Sequence, residues 1–264
     1  MQRVAMIAVL LGLSGTEHEN AREAAKSHVQ NAMRNLHCRD CPELVDIPVL
    51  EVSQRKINMV MANELTWSDY LKSYFDGSCS LPTIYPRNYV PSKEEINSIS
   101  LPWPIRNLSV SQIKCYISWI NKKTGRNFDL PTADEWEIVA AAGSTSKFPW
   151  GDSDLPGNAA IDGVRSKRPD SIYTIVFNNV RGYPIKKFPP NRWGLYDVIG
   201  NTWDLTKSCH DVIKNSQICS SYIVKGGEVD SKIQEINLTT SKHVSVIGGE
   251  FLADVAIRLV AVKK

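Results

Sequence analysis

Apolar residues recur along this chain in distinct rhythms, and each rhythm predicts a different element. Between Glu17 and Leu36 they fall at Ala21, Ala25, Val29, Ala32 and Leu36, steps of three and four that lay one apolar face along a helix. A strand is expected at Leu44–Val52 (LVDIPVLEV). Three further helices are announced by their starts. Thr66-Trp67-Ser68-Asp69 opens one that runs to about Phe75 and stops by Gly77. Ser109-Val110-Ser111-Gln112 opens one with Ile113, Ile117 and Ile120 on one face, ending at Gly125. Thr132-Ala133-Asp134-Glu135 opens a third, ending at Gly143. In each, a hydroxyl accepts from an otherwise unpaired backbone N–H while the side chain three residues on reaches back. Asp69 is the weakest of the three return partners, because its carboxylate is shorter. Beyond Phe148 the helical period disappears. PWGDSDLPGN, FPPNRWGLYD and GNTWDL are rich in turn residues, and short strands are expected at Ile172–Phe177, Tyr222–Val224 and Ile257–Val262. No internal repeat or low-complexity linker interrupts the pattern. An α+β fold follows, a single domain over residues 41–264 with much irregular structure, short antiparallel strands and a few helices.

Composition and charge narrow the function. Of 264 residues, 42% are hydrophobic and 22% charged, as in a folded globular chain. The net charge is only +3 and no dense basic run occurs; Lys122-Lys123 and Lys186-Lys187 read as solvated surface, which excludes a nucleic-acid footprint. At the N-terminus Arg3 precedes an apolar run from Val4 to Leu13 and the small residues Ser14, Gly15 and Thr16. That order predicts a secretory signal over residues 1–15, followed by a helix within 16–40. The site lacks an A-x-A pattern, so a buried first strand or helix is the alternative. The run is too short to span a bilayer, and the mature chain is expected to have no transmembrane segment and to be periplasmic or secreted. No cysteine follows the run, which argues against a lipid anchor.

The six cysteines point the same way. Cys38 and Cys41 form the one C-x-x-C, and Cys209 and Cys219 flank a polar loop. Zinc would want a second close pair or histidines at ligand spacing, and His37 and His210 merely flank cysteines. Disulfides Cys38–Cys41 and Cys209–Cys219 suit an oxidising compartment better. Cys79 is left unassigned, and Cys115, within an apolar helical stretch, is expected to be a buried thiol.

The densest stretch is FPPNRWGLYDVIGNTWDL, Phe188–Leu205. Pro189-Pro190 stiffens the approach, Gly194 and Gly200 permit turns, and Trp193 and Trp203 bring large apolar area with an N–H that needs a partner. Asp197 and Asp204 bracket Gly200-Asn201-Thr202. Two carboxylates and carbonyls from a tightly turned backbone make a hard-oxygen set suited to calcium. The alternative is that both aspartates cap turns without metal.

The order of these phrases resembles the formylglycine-generating enzyme, or sulfatase-modifying factor, family. It is carried by CPELVDIP (Cys41–Pro48), LSVSQIKCYISWINKKTGRNFDLPTADEWEIVAAAG (Leu108–Gly143), FPWGD (Phe148–Asp152), FPPNRWGLYDVIGNTWDL, VKGGE (Val224–Glu228) and AIRLVA (Ala256–Ala261). The resemblance implies a low-regularity fold related to C-type lectins. It implies a calcium site at the Asp197 side chain, the Gly200 and Thr202 carbonyls and the Asp204 side chain, with Asp204 standing where the family usually has glutamate. A second calcium would use Asn158 and the Ala159 carbonyl, but its other ligands fall near Phe177 to Asn179, where the family's aspartate is missing.

The family's active site is where the resemblance breaks. There a phrase beginning with arginine and two glycines precedes two cysteines that bind copper and oxidise a substrate thiol. Here Ser231 and Ile236 fall at the cysteine positions, Lys225 and Val229 replace the arginine and tryptophan of the phrase, and no cysteine follows Cys219. A hydroxyl cannot replace the soft thiolate that selects monovalent copper, so no catalytic residue is assigned and no copper is expected. Other branches are iron oxygenases needing three histidines. His18 and His28 lie ten apart, nearly three turns, and His243 is alone in a polar segment. The expected function is a catalytically inactive, exported scaffold that binds a protein partner in the cell envelope, with an inhibitor or immunity role toward a secreted toxin as one form. Loops 79–107, 143–185 and 206–222 are the candidate surfaces, with Tyr85, Tyr89 and Trp103 as interface anchors. The alternative is a metal-dependent oxidase or oxygenase of the same family with altered chemistry.

Overall fold

The computed structural model describes residues 41–52, 54–81, 102–154, 157–162, 182–214, 216–246, 252 and 254–263, all within the compact unit Asp40–Lys264. The expected signal, the helix within 16–40, the strand at Ile172–Phe177, Cys38, Tyr85 and Tyr89 lie outside the described residues.

The three helices form where the capping chemistry places them. Helix α1 is Trp67–Phe75, α2 is Val110–Thr124 and α3 is Ala133–Ala141. Ser109 and Thr132 complete reciprocal capping boxes: Gln112 Oε1 accepts from the Ser109 N–H at 2.9 Å, and Glu135 Oε2 from the Thr132 N–H at 2.7 Å. At α1 the box is not reciprocal. The Thr66 hydroxyl accepts from the Asp69 N–H but donates its own proton to Asp69 Oδ2 at 2.7 Å, and Lys72 holds the other oxygen. Asp69 is one methylene too short to reach the backbone.

Among the described residues eight strands make two four-stranded sheets. They are β1 (Leu44–Val52), β2 (Arg55–Met61), β3 (Phe128–Asp129), β4 (Trp203–Val212), β5 (Cys219–Lys225), β6 (Ser241–Ser245), β7 (Val255–Ala256) and β8 (Val260–Val262). The first sheet runs β1-β2-β8-β3 and the second β6-β5-β4-β7; every pairing is antiparallel except β4 with β7. The strand expected at Ile257–Val262 is shortened to Val260–Val262, because residues 257–259 cross from the second sheet, left after Ala256, to the first. The loop expected over 206–222 is largely the β4–β5 hairpin, a ladder with three register shifts. Its polar sequence hides the strands because backbone hydrogen bonds, rather than alternating burial, define them.

Two apolar cores result. One packs Tyr70, Leu71, Tyr116, Ile120, Phe128 and Leu259 between α1, α2 and the sheets; the other packs Ile57, Trp136, Val139, Phe148, Leu195 and Ile199 against α3. Cys115 is not a thiol. It is joined to Cys79, with Cα atoms 5.8 Å apart, and Cys209 is joined to Cys219 as expected. One turn before Cys115, the Gln112 amide donates to the Leu81 carbonyl at 2.8 Å, so α2 already holds the segment carrying Cys79. Among the described residues no helix is long and apolar enough to cross a membrane.

Replacing Thr132 with alanine should lower the unfolding free energy in urea by about 1 kcal/mol through loss of the cap. Replacing both Cys79 and Cys115 with alanine opens a cross-link 36 residues apart and should cost about 4 kcal/mol on the chain-entropy account, measured in the same way.

Candidate functional site: a buried carboxylate cluster

The stretch 188–205 is held in place by its own polar side chains. Asn191 accepts from the Trp193 and Leu195 N–H groups and donates to the Val139 and Ala140 carbonyls, which docks the turn on the last turn of α3. Gly200 has φ 83°, and a Cβ there would lie 2.4 Å from the Ala160 oxygen, so no other residue fits without moving that backbone. Asn201, also left-handed at φ 60°, accepts from the Tyr183 N–H and donates to Glu64 Oε1 at 3.4 Å. Thr202 donates to the same Glu64 oxygen at 3.3 Å.

These turns bring Glu64, Asp197 and Asp204 around one buried guanidinium. Arg258, 1% exposed, donates to Asp204 Oδ2 at 3.0 Å and to the Tyr196 and Met61 carbonyls, and lies 3.7 Å from Glu64 Oε2. Asp204 Oδ2 also accepts from Trp136 Nε1 at 2.9 Å, and Asp197 Oδ2 accepts from the Lys186 N–H at 2.8 Å. Arg258 thus acts on all three carboxylates, with Arg106 also acting on Glu64 and Lys186 on Asp197. Burial pushes the Glu64 carboxyl well above the usual range, Asp197 adds repulsion, and Arg258 draws it back. Burial likewise lifts Asp197 to about 6, opposed by the Lys186 N–H and by Arg258.

The sequence-expected calcium residues meet this cluster. Asp197 Oδ1 and Asp204 Oδ1 are buried without a hydrogen-bond partner, as is Glu64 Oε2. Unpaired buried carboxylate oxygens of this kind fit a hard cation. No group of three or more His, Cys, Asp or Glu side chains among the described residues is arranged to hold a metal, so such an ion would rely on carbonyls as well. A cavity of about 40 Å³ lies beside Asp197, walled by Trp150, Asn158, Pro190 and Asn191. At the second expected site, Asn158 borders this cavity and Ala159 is buried; residues 177–179 lie outside the described residues.

The residues expected to stand at the family's cysteine positions are packed in place. Ile236 is 3% exposed and its Cδ1 would stand 2.3 Å from a Cβ built on Gly227. Val229 is fully buried, and the Ser231 hydroxyl accepts from the Glu228 N–H at 3.0 Å. Lys225 is buried too, donating to Glu137 and to the Thr239 carbonyl at 2.6 and 2.7 Å. Trp103 is half-buried against the first core, its carbonyl accepting from the Trp67 N–H. His243 is not alone: its ring stacks on His210, with centroids 4.3 Å apart. Glu64 and Arg258 were missed by sequence reasoning. The one available signal was a charged residue embedded in each of the apolar runs MANELTW and AIRLVA.

Comparison with known proteins agrees with this architecture. A sequence profile of the sulfatase-modifying factor enzyme 1-like domain matches residues 20–261. The formylglycine-generating enzyme of Mycobacterium tuberculosis is 30% identical over 103 residues, 39% of this chain and 32% of that protein. The inactive C-alpha-formylglycine-generating enzyme 2 of Bos taurus is 32% identical over 110 residues, 41% of this chain and 34% of that protein. The chain therefore spans about a third of the length of these curated relatives. Among solved structures, PvdO from Pseudomonas aeruginosa superposes with a TM-score of 0.57 at 16% identity, covering 86% of this chain and 97% of that one, and CarF with 0.57 at 14%, covering 84% and 97%. At such identities the likeness is one of fold. The profile runs from before β1 into β8, through all three capped helices and the carboxylate turn, and the chain belongs to the sulfatase-modifying factor enzyme 1-like domain family.

Proposed function

We propose that this protein keeps the family's fold without its oxidase chemistry and serves as an exported scaffold that binds a protein partner in the cell envelope. The observation that carries the reading is the occupancy of the two cysteine positions. Ser231 spends its hydroxyl on a backbone N–H, and Ile236 fills the space over Gly227 as a core residue. Every described cysteine is already in a disulfide, which leaves no described thiolate for copper and suits an oxidising compartment. The family includes relatives named inactive, such as the Bos taurus protein. Loss of chemistry in such a fold leaves a rigid frame with irregular surface loops, the arrangement that binding proteins use. An inhibitory or immunity role is one form that such binding takes.

Calcium in this reading is structural. The Asp197 and Asp204 carboxylates and the Gly200 and Thr202 carbonyls would hold it, and its double charge would neutralise the unpaired oxygens Asp197 Oδ1 and Asp204 Oδ1. Arg258 and Trp136 orient Asp204 by occupying its other oxygen.

Two outcomes follow. Purified protein supplied with copper should retain no stoichiometric copper and consume no oxygen on a thiol peptide; stoichiometric copper or iron with thiol-dependent oxygen uptake would reverse the reading. Calcium at a hundred times its Kd should raise the unfolding free energy by about 2.7 kcal/mol over chelated protein, and Asp197→Asn should abolish that increment. An unchanged melting curve with calcium would remove the ion from the account.

A further inference from the structure

We propose that the β4–β5 hairpin is a peripheral membrane anchor whose apolar tip enters the surface of an anionic lipid bilayer. Strand β4 has two unlike halves. Trp203 to Thr206 are buried, whereas from Lys207 to Lys214 every residue except the half-buried Ser208 is exposed. The distal half therefore stands clear of both cores as an arm.

The tip of that arm is apolar. Five large hydrophobic side chains are exposed among the described residues, and three of them sit here: Val212 at 58%, Ile213 at 42% and Ile218 at 63%. Such residues scattered singly need no explanation, but three on one turn mark a contact surface. The turn is rigid. Ile213 and Ile218 pair through a 2.9 Å backbone hydrogen bond, Ser216 donates to the Ile213 carbonyl and accepts from the Ile218 N–H, and the Cys209–Cys219 disulfide clamps the base. Little conformational freedom remains to be lost on docking.

Area and charge choose the occupant. Three partly exposed aliphatic side chains offer at most a few hundred Å², well short of the roughly 800 Å² per partner that a stable protein interface buries. A lipid surface needs no shape complement, and a small rigid apolar tip suffices there when charge assists it. Lys207, Lys214 and Lys242 are exposed on the arm and the neighbouring β6, against a single exposed aspartate, Asp211, which is bonded to His210 at 2.8 Å. Lys207 also pairs with Asp129, and Lys242 lies over the Trp203 ring, which leaves Lys214 at the tip itself. Counting Asp129, three lysines stand against two aspartates around the apolar point, and this small positive excess complements an anionic phospholipid surface.

The test uses the full chain carrying Ile218→Trp, with the emission of residue 218 taken as the difference from wild type. On vesicles of phosphatidylcholine and phosphatidylglycerol in equal parts, this emission should move to the blue and be quenched by lipids brominated near the headgroup. That readout is local, so the apolar run at Val4–Leu13 cannot imitate it. Lys214→Glu and Lys242→Glu should each weaken vesicle binding by at least about fivefold, and Val212→Ser with Ile213→Ser by at least about tenfold. Emission unshifted and unquenched on these vesicles overturns the proposal. So does a blue shift that grows with protein concentration in the absence of lipid, which would assign the tip to self-association. Equal quenching on pure phosphatidylcholine, unaffected by either charge reversal, overturns the anionic surface as the occupant.

Discussion

The structure turns on a single guanidinium. Arg258 lies in the crossing between β7 and β8, the point at which the chain leaves one sheet for the other, and its hydrogen bonds reach both. Asp204 belongs to β4 of the second sheet, Met61 to β2 of the first, and Tyr196 to the turn between α3 and β4. Burying an arginine is costly unless every donor is satisfied and the charge is matched. Here the geometry needed to satisfy it fixes the position of three separate segments at once. Asp204 and Glu64 hold its pKa above the ordinary value against the opposing effect of burial. The apolar cores supply bulk stability, while this cluster specifies which surfaces meet.

The same cluster separates what the fold requires from what the chemistry of the family requires. Gly200 lies against the Ala160 carbonyl, Asn201 joins Tyr183 to Glu64, and Trp136 reaches Asp204 from α3. Substituting any of these would disturb backbone packing. Ser231 and Ile236 lie in a segment that packs over Gly227 and the second core and is tied by hydrogen bonds to Asp162 and Lys147.

The β4–β5 arm has the opposite character. Its distal half contributes nothing to either core, and its stability comes from backbone ladders and a disulfide. Elements of this kind are free to carry surface chemistry, because a changed side chain there leaves no cavity and strands no buried charge.

What the sequence by itself determined is local. Thr66, Ser109 and Thr132 placed the three helix starts, since capping is chemistry between residues three apart. The motifs from Cys41 to Ala261 placed the fold, and Asp197, Gly200 and Asp204 marked the turn. Tertiary structure alone decided the rest. It joined Cys79 to Cys115, stacked His243 on His210, surrounded Arg258 with Glu64 and Asp204, and turned a polar loop into an exposed hairpin. All but the hairpin depend on groups far apart in the chain, and the energies of all of them are set by burial and by proximity in space. Neither quantity has a period or a spacing that a linear reading can detect.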